Sequence, residues 1–106
     1  MKIPNNWVIA EAVIIVHVPT GNVIPQPSSR FGRGGSHVEP VDPKKKQPRI
    51  FANEFVAKAC LGQWLRGKQT CYRYSDGGED LKITPTPHRI KADMKILPVV
   101  LIPKEL

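Results

Sequence analysis

Only one stretch of this chain has the period of an α-helix, so any core must be built against it. In ANEFVAKACLGQWLRG, residues 52–67, a turn of about 100° per residue puts Val56, Ala57, Cys60, Leu61, Trp64 and Leu65 on one half of a helix. Lys58, Gly62, Gln63 and Arg66 fall on the other half. Asn53 suits the N-cap, Glu54 the positive first turn and Arg66 the negative last turn, and Gly67 stands where a left-handed residue stops a helix. Gly62 is the one weak point within it.

The remaining apolar stretches read as strands. Residues 7–18, WVIAEAVIIVHV, are rich in Val and Ile, which suit a pleated surface. Their even positions, from Val8 to Val18, are all apolar, whereas the odd positions include Glu11 and His17. Alternation therefore predicts a buried even face and a partly wet odd face. Pro19-Thr20-Gly21-Asn22 turns the chain into a short return at Val23-Ile24. Residues 69–74 alternate and meet Asp76-Gly77-Gly78 before residues 81–84, which predicts a second hairpin. Residues 94–102, MKILPVVLI, complete the set, with Pro98 implying an edge or a bulge because it cannot donate to a ladder.

The order β, short β, long loop, helix, β, β, β predicts a single α+β domain over residues 1–106, as 106 residues leave room for one core. The economical form is a single helix packed on a mostly antiparallel sheet of about five strands. The opposite sheet face is then exposed or partnered, with Glu11, His17 and the tyrosines as candidates to lie on it. A homodimer through that face or a sheet edge is the self-association this arrangement allows.

Residues 25–48 differ in character, with five prolines and three glycines in 24 residues, a density that predicts a long flexible loop insert without regular structure. The chain's positive charge begins there. Residues 1–29 balance, residues 30–49 hold six basic and two acidic groups, residues 50–73 hold four and one, and residues 74–106 hold five of each. The whole net charge of +7 thus sits between Arg30 and Arg73. A localised basic segment attracts polyanions through a term that salt weakens, and it also keeps a chain soluble.

Within that segment Arg30-Phe31-Gly32-Arg33-Gly34-Gly35 is similar to the arginine-glycine runs that hold single-stranded nucleic acid, although one copy serves equally as a solubilising linker. The candidate binding set is Arg30, Phe31, Arg33, Lys44, Lys45, Lys46, Arg49, Lys58, Arg66, Lys68 and Arg73, with Tyr72 and Tyr74 interleaved as stacking platforms.

Other chemistries lack their signatures. The glycines are not followed by the Gly-Lys-Ser/Thr of a phosphate loop. His17, His37, His88, Cys60 and Cys71 show no ligand spacing, so they are read as a core thiol and scattered histidines, with no metal or other cofactor expected. Glu11 and His17 are too far apart along a strand for acid-base work, and Ser28, Ser29, Ser36 and Ser75 lack a nucleophile motif. Two cysteines are too few for a disulfide scaffold and fit a reducing compartment. The apolar run at 7–18 is interrupted by Glu11 and falls short of the ~20 residues a membrane helix needs. A secretory leader is likewise not expected, since no small-x-small cleavage site follows before Pro19.

From Arg49 onward, three groups of residues carry a resemblance: Ile50-Phe51 leading to Ala57-Lys58 and Trp64-Leu65-Arg66-Gly67, then His88-Arg89, then Asp93-Met94-Lys95-Ile96 with Val99-Val100-Leu101. With these the chain resembles small uncharacterised proteins of tailed bacteriophages, over a little more than half its length. The resemblance implies a context, a phage product in the cytoplasm of an infected bacterial host, and carries no activity or site residue. The expectation is a non-enzymatic phage accessory protein that binds nucleic acid through the basic segment. The alternative is an inhibitor docked on a host or defence protein, such as an anti-CRISPR or host-takeover factor.

Overall fold

A computed structural model of the protein describes residues 10–27 and 33–101. The strands are β1 (Ala10–His17), β2 (Asn22–Val23), β3 (Lys68–Arg73), β4 (Glu79–Thr84) and β5 (Met94–Leu101), and the helix is α1 (Glu54–Arg66). Two 3-10 turns, Arg33–Ser36 and Lys91–Asp93, complete the elements. The class is α+β with one helix and antiparallel strands, but the five strands form two sheets, a three-stranded β2-β1-β5 and a hairpin β3-β4. No helix among the described residues is long and apolar enough to cross a membrane.

The helix forms where its signals lie. Asn53 caps it, its Oδ1 accepting the Val56 N–H at 3.0 Å, and Gly67 ends it at φ +124. Ala57, Leu61 and Trp64 are buried, with Cys60 and Leu65 partly so, and Val56 stands at the rim of the stripe.

The face of β1 that α1 covers is the reverse of the one alternation selects. The core joins Val13 and Ile15 of β1 to Met94 and Ile96 of β5, Phe51, Ile24 and the helix stripe. Residues opposite one another share a sheet face, and Ile15 pairs with Ile96, His17 with Met94 and Val13 with Phe51. Glu11 and His17 therefore belong to the covered side, at the two ends of the strand where a polar tip reaches water past the edge of the helix. The even face, Ala12, Ile14 and Val16 beside Leu97 and Val99, carries no helix among the described residues, although Ala12 on it is buried. Alternation misled here because both faces of β1 are apolar at their centre, so two polar residues at the ends could not decide between them. The tyrosines lie on neither face of this sheet: Tyr72 belongs to β3 and Tyr74 follows it directly.

Pro98 sits on the edge strand. Val13 exchanges both backbone bonds with Phe51, at 3.0 and 2.9 Å, so its polar groups point away from β5 and its pairing with Pro98 carries no ladder bond. The N–H that Pro98 lacks would have faced the outer edge, where its absence interrupts any strand trying to add there.

The described part of the 25–48 segment is fastened to β2 at Val41 and closed at its two ends. Val41 pairs with Val23, Pro25 with Pro48, and Arg49 N–H donates to Ile24 O at 2.9 Å. The 3-10 turn Arg33–Ser36 is regular structure that proline density did not predict; its four residues, RGGS, contain no proline.

Candidate functional site

Of the basic residues named from the sequence, Lys58 and Arg49 lie on different sides of α1. Arg30 and Phe31 lie outside the described residues, and the same holds for the side chains of Arg33 and Arg73. Lys44, Lys45 and Lys46 stand exposed on one turn. Asp42 shapes that turn by accepting Lys44 N–H on Oδ1 at 2.9 Å and Lys45 N–H on its carbonyl at 2.9 Å. No carboxylate among the described residues pairs with these three ammonium groups. Lys58 is paired with Glu54 one helical turn away at 3.1 Å, and Arg66 Nη1 donates to Gln63 Oε1 at 3.4 Å. Lys68 begins β3, half-buried, opposite Thr84. Lys58 faces a groove between α1 and β5, whereas Arg49 lies across the helix from it, in a cleft between α1 and the β3-β4 hairpin.

A polar cluster that the sequence gave no reason to assemble lies at the end of the core. The side chain of Arg89 is wholly buried, 0% exposed. Its Nη2 and Nε donate to Glu39 Oε1 at 2.8 and 3.1 Å, and its Nη1 donates to Trp64 O at 2.7 Å. Its Cζ lies 4.3 Å from the Trp64 ring centroid. Arg89 thus satisfies a carbonyl in the last turn of α1, where the helix dipole favours a cation. Trp64 Nε1 donates to Val38 O at 2.7 Å, which ties the indole to the 25–48 segment. His88 Nε2 meets the same Glu39 oxygen at 3.0 Å. Burial pushes the Glu39 carboxyl up, but the hydrogen bonds and charges of Arg89 and His88 outweigh it and hold the group below its ordinary value of 4.5.

Next to this cluster a cleft of about 270 Å³ is lined by His17, Thr20, Asn22 and His88. His17 Nδ1 lies 2.7 Å from Thr20 Oγ1. Because the Arg89 guanidinium already meets a carboxylate and a backbone carbonyl, it acts as a structural cation rather than a ligand-binding one. Among the described residues no three His, Cys, Asp or Glu side chains stand together as a metal site.

Arg49 differs. It is half-buried, its Cζ lies 4.9 Å above the Phe51 ring, and the one side-chain acceptor it meets among the described residues is Cys60 Sγ at 3.6 Å. A thiol sulfur is a weak acceptor. Burial pushes the Cys60 thiol up and the Arg49 charge only partly offsets it, so the sulfur stays protonated at neutral pH. The cleft that Arg49 enters has a volume of about 540 Å³ and is mostly apolar. Cys71 and Leu81, directly opposite each other in the hairpin, form its far wall. Sequence reading placed Arg49 in a basic run and Cys60 in the core, but only the return of the hairpin toward α1 shows that they share a cleft.

Compared with protein-family models, with curated proteins and with solved structures, the chain matches none of them.

Proposed function

We propose that the protein is a non-enzymatic nucleic-acid-binding protein of a tailed phage, made in the cytoplasm of the infected host, as its resemblance to phage proteins implies. The observation that carries the reading is the turn bearing Lys44, Lys45 and Lys46, three exposed cations with no carboxylate paired to them among the described residues. Asp42 spends its side-chain oxygen on the turn backbone and not on an ammonium group. Cations left without partners on a chain of net charge +7 are available to phosphates, and binding them releases counterions. Arg30, Phe31, Arg33, Arg66, Lys68 and Arg73 remain candidates to extend the contact along the strand.

Replacing Lys44, Lys45 and Lys46 together by Gln is expected to weaken binding to every base sequence alike. It should also flatten the slope of log K against log salt by about 2, as each phosphate contact on a single strand contributes about 0.7. Unchanged affinity and slope would remove these lysines from the interface.

A second reading, an inhibitor docked on a host or defence protein, is favoured by Phe55. It stands 83% exposed in the first turn of α1, an uncovered aromatic ring of the kind that marks a protein-binding surface. A host complex that survives nuclease treatment of the lysate and is lost on Phe55→Asp would support it in place of nucleic acid. Self-association, in either reading, would use the even face of β1 and β5, where Ile14, Val16, Leu97 and Val99 are partly exposed, as Pro98 interrupts the outer edge of β5.

A further inference from the structure

We propose that the cleft between α1 and the β3-β4 hairpin seats one unpaired nucleotide of a single strand, with its phosphate against the Arg49 guanidinium. This rests on the nucleic-acid reading and deepens it by naming the strand form and the place.

Arg49 is the starting observation. A half-buried cation loses much of its hydration and is costly unless an anion meets it, yet no carboxylate among the described residues does so. Two neighbours flank the group. Phe51 lies beneath it, and Gly35 closes in beside it so that a Cβ there would lie 3.2 Å from Nη1. Among the described residues the guanidinium meets one side-chain acceptor, the weak Cys60 thiol, so most of its donors are open to an anion that enters the cleft.

The cleft walls define what accompanies that anion. Val56, Ala59 and the protonated Cys60 line one side, and Cys71 and Leu81 the other, an apolar slot about 540 Å³ in volume and within the range of small-molecule sites. Gln69 Nε2 bridges to Gln63 O at 3.2 Å and to Gln63 Oε1 at 2.9 Å, which fixes two carboxamides at the rim. Carboxamides offer both a donor and an acceptor, the pattern found on a base edge. Among the described residues no acidic side chain lines the cleft. The fitting ligand carries an anionic group beside a flat, largely apolar body with polar edges, which describes a nucleotide. In a duplex the bases are stacked and paired and cannot enter such a slot, so the cleft selects a single strand.

The test is anisotropy of a labelled single-stranded oligonucleotide, and of a duplex of equal length, with the full chain. Arg49→Gln and Ala59→Trp, the latter filling the cleft from an exposed helix position, are compared with the Lys44, Lys45, Lys46→Gln variant. Each cleft variant is expected to weaken the single strand by about tenfold and to leave the duplex unchanged, and Arg49→Gln is expected also to flatten the salt slope by about 1. Circular dichroism confirms that each variant is folded. If the lysine variant weakens binding but neither cleft variant does, the cleft inference fails while the broader reading stands. If the wild-type chain binds no oligonucleotide, or binds an acidic peptide through Arg49 instead, both fail.

Discussion

Arg89 is wholly buried and Arg49 half-buried, and what meets each guanidinium decides its role. The Arg89 guanidinium meets Glu39, which neutralises it, and the carbonyls of Trp64 and Val38. Removing that carboxylate leaves a buried cation with carbonyl partners alone. Since the Glu39 side chain is 40% exposed, the cost is smaller than for a fully buried pair, about 2 kcal/mol for Glu39→Gln. The folded state holds the Glu39 pKa below its ordinary value of 4.5. Its stabilisation is therefore complete above the unfolded value and is lost as pH falls through the folded one. Urea unfolding of the wild type relative to Glu39→Gln should show a stability difference that is constant near neutrality and shrinks as the pH falls below the ordinary carboxyl value of 4.5. A difference independent of pH would mean that Glu39 does not titrate against Arg89. None of this pairing was legible in the sequence, because Glu39 and Arg89 are fifty residues apart and nothing local marks them as partners.

The helix was the most legible element, since caps, stripe and stop lie within sixteen consecutive residues and depend on local chemistry alone. Its two glycines separate a local from a tertiary requirement. At Gly62 a Cβ would meet nothing within 4 Å, so Gly62→Ala should stabilise the protein by about 0.5–1 kcal/mol through helix propensity. At Gly67 the backbone has φ +124 and a Cβ would collide with the Thr84 carbonyl where β4 ends, so Gly67→Ala should cost at least about 2 kcal/mol. Thermal denaturation of the two variants checks this, and shifts of the same sign would contradict it. The sequence marked Gly67 as a stop but could not show that it also lets the hairpin approach the helix. The strands were legible as strands, from β-branched runs and turn residues, whereas their partition into two sheets was not. Alternation within a strand says which residues share a face and is silent about which other strand lies beside it.

At the scale of the whole molecule, the basic residues that lie together in the sequence meet different surroundings. Lys58 is neutralised on the helix and Arg49 lies across α1 from it, while the lysine turn has no carboxylate paired to its side chains among the described residues. The uncovered cations of that turn and the unpaired guanidinium of the cleft are what make nucleic acid the best-supported partner. The measurement that tests this most directly is a salt titration of single-strand binding by the full chain, followed by anisotropy from about 50 to 200 mM salt. Log K falling linearly with log salt, with a slope that flattens when Lys44, Lys45 and Lys46 become Gln, is the result expected. Absence of binding at about 50 mM, or an affinity indifferent to salt, would contradict it.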